Sequence, residues 1–203
     1  GVASGVFDAF VTIVVSVYIL LQRTKIVNFL NKLCMALFNE KICSTINKYF
    51  NKTNEVFFKF ISGQLIDAVV VGVLVTIAMS IIGVKYSVLL GFMIGLFNVI
   101  PYFGAIFAVA ISVLITIITG GLSQAIIMAI VVIILQQIDS NIINPKILGS
   151  SLDISQLIVI GAVALGGAYF GVLGMFLGVP VATVLKIIIC DWVEYKNKQK
   201  YNY

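Results

Sequence analysis

Asp67 stands inside an apolar stretch of the chain, and an ionisable group in such a place is a candidate for chemistry before anything else is known. A carboxylate at the centre of a membrane helix costs roughly 2.5–3.5 kcal/mol on insertion scales. Gln64 lies three residues earlier and shares its helix face. Together they could bind a cation or a polar ligand, or carry a proton. The competing reading puts Asp67 near enough to the water boundary to be hydrated or paired with Lys59.

Two more groups have the right types and spacing. Asn98 and Pro101 interrupt a second apolar stretch. Pro101 cannot donate to the carbonyl four residues back, near Phe97, and that carbonyl must find another partner. A freed carbonyl beside an amide makes a solute or ion site; a plain packing kink is the alternative. Gln136, Gln137, Asp139, Asn141 and Lys146 form a polar island after a third apolar stretch. Asp139 and Lys146 have opposite signs and could gate a pathway by pairing and parting. The plainer reading is a solvated loop with the two glutamines as interfacial caps. Pro145 disfavours helix at Asn144 and is expected to stop it there. Helix breaks are expected at Pro101, Gly104, Pro145 and Pro180.

What the chain lacks narrows the chemistry. It has no His, which removes Ser-His, Cys-His and zinc-His sites. Its three Cys (Cys34, Cys43, Cys190) form no C-x-x-C pair and read as buried or reduced thiols. No metal ligand set and no cofactor motif is present, so an enzyme is not expected. Its glycines form no nucleotide loop, which needs a strand before it and a soluble helix after it. The net charge of +5 is not a nucleic-acid signature here; its placement bears on membrane orientation instead.

The elements that must position these residues follow from composition. The 203 residues are 61% hydrophobic and 10% charged, and the mean hydropathy is +1.15. Soluble domains run near half apolar and a quarter charged. The expected class is all-α, a polytopic integral membrane protein with discontinuous or re-entrant helices and a cytoplasmic amphipathic segment. Residues 1–21 read as a transmembrane helix, with 3–21 rising roughly 28 Å. Residues 22–61 carry seven of the 13 basic residues and an apolar residue at helical spacing, which places them on the cytoplasmic side. Residues 62–190 form the transport domain, and 191–203 a basic, aromatic cytoplasmic tail. Asp8 shows no distinct role. The chain begins with Gly in what reads as a span already under way, so it is expected to be the later part of a longer protein.

Within 62–190, the stretches 87–120 and 154–190 could each be two spans or one re-entrant hairpin. Charge placement does not decide, because both counts return the tail to the cytoplasm. The first fourteen residues, 87–100, rise about 21 Å, short for a straight span. GLFNVIPYFGAIFAVAI (95–111) and GVLGMFLGVPVATVLKI (171–187) share a layout of glycine-bearing approach, proline and apolar helix. Paired interrupted segments point to a transporter binding region. The pairs Gly91/Gly95, Gly167/Gly171 and Gly174/Gly178 are expected to pack helix against helix. Trp192, Tyr195, Tyr201 and Tyr203 with Lys196, Lys198 and Lys200 read as an interfacial belt drawn to anionic lipid.

Three stretches resemble the autoinducer-2 exporter family: GLFNVIPYFGAIFAVAIS (95–112), QQIDSNIINPKILGSSLDISQL (136–157) and GGAYFGVLGMFLGVPVATVLKI (166–187). The family pattern falls on Ile100–Gly104, then on Gln136, Gln137, Asp139, Asn141, Pro145 and Gly149. GQLIDA (63–68) also fits. Asp139 stands where the family commonly has Glu, and Lys146 where it commonly has Arg. The resemblance implies a bacterial inner-membrane transporter, either an exporter of autoinducer-2 or a sodium or lithium/proton antiporter. It also implies a homo-oligomer, with a pentamer as one form.

The reading that results is export of a small polar solute resembling autoinducer-2, coupled to protons or Na⁺. Monovalent cation/proton antiport is the nearest alternative, and a non-transporting oligomeric scaffold the second. The expected partners are membrane lipid, the solute or cation, and further copies of the chain.

Overall fold

The computed structural model describes residues 2–149 and 154–201. The expectations for the side chains of Asp8 and Tyr201, for positions 150–153 and for Tyr203 lie outside what it describes. The protein is 93% helical, and the described residues include no strand. The chain forms two units, 1–51 and 52–203.

In the first unit, α1 (Val2–Leu21) and α2 (Arg23–Leu37) meet at Gln22, where the axis bends by 68°. α2 has no buried residue, as its mixed sequence dictates. α3 (Glu40–Ile82) begins in this unit, and its first turn buries Cys43. Within the second unit the helix runs on without interruption through position 61 to Ile82. Among the described residues, three helices are long and apolar enough to cross a membrane: Glu40–Ile82, Phe103–Leu148 and Gln156–Lys200. The protein is a multi-pass, all-α membrane protein.

The second unit is built inside out relative to a soluble domain. Val69, Val73, Ile77 and Ile81 on α3 are exposed, while Gln64, Asp67, Asn98, Ser112, Thr116, Asp139 and Thr183 are buried. Lipid accepts the apolar outer face, and the polar groups must find partners within the protein. On α3 the buried stripe runs Val56, Phe60, Gln64, Asp67, Val71, Val75, Met79. That spacing of three and four is one helix face. It carries Gln64 and Asp67 inward by the same geometry that buries the valines.

α4 (Ser87–Asn98) lies antiparallel to α3, and its twelve residues rise about 18 Å. It buries Leu90, Gly91, Ile94, Gly95 and Asn98. A side chain on Gly91 would run into Thr76, and one on Gly95 into the Ala68 carbonyl and Gly72. The α3–α4 seam is therefore a contact of backbones, as the Gly91/Gly95 spacing predicts.

α5 (Phe103–Ile138) follows a four-residue break. The Phe97 carbonyl accepts from the Ile100 amide at 3.0 Å, which supplies the partner that Pro101 cannot. The Phe103 amide donates to the Pro101 carbonyl at 2.8 Å, across Tyr102 at φ 64, ψ −55. This is a three-residue γ-turn with positive φ, a rare and strained form. Gly104 is already helical, and it lets α5 cross against the Phe97 carbonyl, where a methyl group would not fit. α4 and α5 thus form a hairpin.

α5 breaks again at Gly121 (φ 84, ψ 171), backbone that only glycine adopts readily. Its second half returns alongside α3. Gln124 donates to the Gly83 carbonyl at 3.0 Å at one end, and Asp139 reaches the Asp67 level at the other. Val71, Val75, Met79, Leu90, Ile94, Ala108, Met128 and Val132 fill the space between these elements.

Two expected breaks are not breaks. At Pro145 the helix switches to a π-turn over Asp139–Ile143, with the Asn144 amide donating to the Asp139 carbonyl. Widening the ladder there accommodates the proline ring, and α6 (Asn144–Leu148) carries the helix on to Gly149. Pro180 sits inside α7 (Gln156–Tyr201), which continues past it. The break in α7 is at Gly171 (φ 61, ψ −145). Nothing lies within 4 Å of a side chain built at Gly171, so it turns the chain and packs against nothing. The two halves of α7 run back along each other through Gly166 against Gly174 and Ala162 against Gly178, while Gly167 faces the Met175 side chain. Phe60 meets Phe176 with ring centroids 5.4 Å apart and packs with Val163 and Val179.

Candidate functional site

Five elements bring their polar residues to one level. α3 supplies Gln64 and Asp67, α4 ends on Asn98, and the end of α5 supplies Gln136. The π-turn supplies Asp139, and α6 supplies Asn144. Gln64 and Asp67 stand mid-way along the buried stripe of α3, and the others stand at a helix end or a change of helical pitch. Asn98 continues the Leu90–Ile94 face, and Asp139 continues the Met128–Val132 face.

At the centre is Asp67, fully buried. Its Oδ2 accepts from the Asn98 Nδ2 at 2.8 Å, and the same nitrogen donates to Asp139 Oδ2 at 3.3 Å. One amide thus bridges two carboxylates. The remaining oxygens, Asp67 Oδ1 and Asp139 Oδ1, are buried and have no hydrogen-bond partner among the described residues. Gln64 lies one turn away. It donates to the Val99 carbonyl at 3.1 Å and accepts from Asn144 Nδ2 at 3.3 Å. It therefore ties α3 to the hairpin turn and to α6 at once.

Beside this network is a cavity of about 430 Å³. Gln64, Asn98, Gln136, Gln137, Asp139, Ser140, Asn144 and Gln156 give it a polar wall. Phe60, Tyr102, Ile106, Leu148, Val159 and Val179 give it an apolar one. Gln136 Nε2 is buried and has no hydrogen-bond partner among the described residues. Pockets of this size with a few convergent polar groups suit a small polar molecule.

The structure gathers Gln64, Asp67, Asn98, Pro101, Gln136, Gln137 and Asp139 in or behind this cavity. Asn141 and Lys146 are exposed and do not line it. Asn141 donates back to the Gln137 carbonyl at 2.7 Å. Lys146 forms no ion pair with Asp139, which faces inward to Asn98. Lys59 is held by Glu55 at 2.8 Å, and burial removes Asp67 from water. Asn144, Tyr102 and Gln156 were missed as site residues. Asn144 had a signal, because a polar residue before proline in a polar island is a candidate for a helix-end contact.

The arrangement can hold positive charge. Two carboxylates on one neutral amide have no cation within their own network, and burial makes uncompensated charge costly. The adjoining donors and acceptors can bind a polar guest.

A family model described as AI-2E family transporter matches residues 1–194. The chain belongs to that family. Among curated relatives, it is 34% identical over 139 residues to "Putative transport protein YrrI" of Bacillus subtilis, covering 68% of this chain and 39% of that protein. It is 31% identical over 147 residues to "Putative transport protein YueF" of the same organism, covering 72% and 40%. It is 28% identical over 152 residues to "Putative permease PerM" of Escherichia coli, covering 74% and 43%. The chain thus spans about two fifths of the relatives it matches. No solved structure matches it.

Proposed function

We propose that the full-length protein exports a small polar solute resembling autoinducer-2 across a bacterial inner membrane, with movement coupled to protons or Na⁺. The observation that carries this reading is the cavity of about 430 Å³ set against a broken helix and lined by amide side chains. Uncharged amides recognise hydroxyl and carbonyl groups by donating and accepting at once. The apolar wall of Phe60, Ile106, Val159 and Val179 takes the carbon face of such a molecule. Residues 22–61 and the C-terminal tail lie on the cytoplasmic side in this reading, with further copies of the chain as partners. A site at the join of two interrupted segments moves most readily by shifting one against the other.

Cation/proton antiport is the second reading, and the buried Asp67–Asn98–Asp139 network favours it. The two are separated by flux in vesicles. Full-length protein is reconstituted, autoinducer-2 is loaded inside, and a proton gradient is imposed. Protein-dependent release supports export. No release, with Na⁺- or Li⁺-dependent collapse of the gradient seen by a pH dye, supports antiport instead.

A further inference from the structure

We infer that Asp67 and Asp139 act as one site that stores a single exchangeable proton between them, with Asn98 as the bridge that keeps the pair together. As a proton store this stands by itself; as the coupling site it rests on the transport reading above.

The geometry supplies the argument. Each carboxylate spends its Oδ2 on the same nitrogen, at 2.8 Å and 3.3 Å. That nitrogen has two hydrogens, so both bonds are satisfied at once. Each carboxylate keeps an Oδ1 that is buried and has no partner among the described residues. An anionic oxygen in that state carries the full penalty of lost solvation. One proton on one Oδ1 removes a negative charge and gives that oxygen a hydrogen to donate. Asn98 is neutral and cannot remove a charge by itself. Two protons would leave two acids competing for a donor-rich bridge, with no anion to receive it.

A divalent metal ion fits less well. Hard divalent cations take about six or more oxygen ligands. Here two free oxygens are offered, and the amide turns its N–H side to the pair. Among the described residues no third Asp, Glu, Cys or His joins them.

Among the described residues, the surroundings leave the pair to itself. On α3 the nearest charge is Lys59, engaged by Glu55. α4 has no titratable residue, and neither has α5 (103–138). Tyr102 lies in the turn between them, and Lys146 on α6 is exposed. On α7 the only titratable side chain before Lys186 is the exposed Tyr169. Asp139 and Asn98 border the cavity, whereas Asp67 lies behind them. The proton therefore enters and leaves through Asp139 and is passed to Asp67. Release transfers it to water in the cavity and leaves both carboxylates ionised, until a proton or a monovalent cation restores the balance.

The test is infrared difference spectroscopy on full-length protein in vesicles, in sodium-free choline chloride. The signal is the carbonyl stretch of a protonated carboxylic acid, identified by its shift in heavy water. Aspartate-specific carbon-13 labelling of the parent assigns it without any substitution. The expected result is one aspartic acid band per chain, lost or shifted in Asp67→Asn and also in Asp139→Asn. No aspartic acid band in the parent, or a band unchanged by either substitution, overturns the shared site. Neither outcome depends on autoinducer-2 flux. A protein that fails to export can still show the band, and one that exports without it has a different coupling site.

Discussion

Asn98 reaches across 31 positions of sequence to donate to Asp67, and it does so with the nitrogen that also serves Asp139, 41 positions further on. One side chain thus fixes α3, α4 and the end of α5 to each other at the level of the cavity. Asn98→Leu keeps the approximate volume and removes the donor. Hydrogen bonds to charged groups are worth about 1.5–3 kcal/mol each. The expected outcome is a loss of roughly that size in the unfolding free energy of detergent-solubilised full-length protein, together with loss of flux. Unchanged stability would show that the bridge contributes little.

The α3–α4 seam makes a contrasting pair of glycine substitutions. Gly95→Ala drives a methyl group into the Ala68 carbonyl, which is backbone and cannot swing aside. Overpacking of this kind costs about 1–3 kcal/mol. Gly161→Ala meets nothing within 4 Å, and alanine favours a helix over glycine by up to about 1 kcal/mol. Thermal denaturation should therefore rank Gly161→Ala at or above the parent and Gly95→Ala well below it.

Gln136 and Lys146 sit ten positions apart in one polar island but face different surroundings. The Gln136 Nε2 is buried beside the cavity without a hydrogen-bond partner among the described residues, whereas Lys146 is exposed on α6. Gln136→Leu should lower solute flux about tenfold, the worth of one hydrogen bond near 1.4 kcal/mol. Lys146→Ala should stay within about twofold. A reversed ranking in vesicle flux would move the pathway to the outer face of α6.

Glu55 lies on the charged first half of α3, before the apolar stretch. Lys59 and Lys52 hold its carboxyl below the ordinary value of 4.5, by hydrogen bonds first and by charge second. A lowered value in the folded state means the contribution is present above the ordinary value and fades as the pH falls through the lower one. All three side chains are well exposed, so the effect is small and weakened by salt. The protection of amides across 52–59, taken against their intrinsic exchange rates, should fall as the pH drops below 4.5, and Glu55→Gln should remove that extra pH dependence.

Much of the site was legible because burial and helical period act on single residues. Asp67, Gln64 and Asn98 stood out as polar residues on apolar faces, and the fold buries all three. The family pattern singled out Asp139, yet its pairing with Asp67 could not be read. That contact depends on a chain reversal at Gly121 and on a π-turn, and neither leaves a periodic mark. Pro145 and Pro180 misled for a related reason. A proline forbids one hydrogen bond, but a helix can widen or bend around that loss. Gly171 looked like a packing glycine because G-x-x-x-G spacing says nothing about backbone angle. The separation 166/174 is set by the hairpin, which spacing of four does not reveal.

Tyr102 holds its backbone at φ 64, ψ −55 between Pro101 and Phe103, and it borders the cavity. Such a conformation costs of order 1–3 kcal/mol, and the packed hairpin sustains it. The turn is therefore a cocked spring whose catch is the Pro101 carbonyl and the Phe103 amide. Opening that catch would let the backbone relax to negative φ, and the stored strain would offset part of the work.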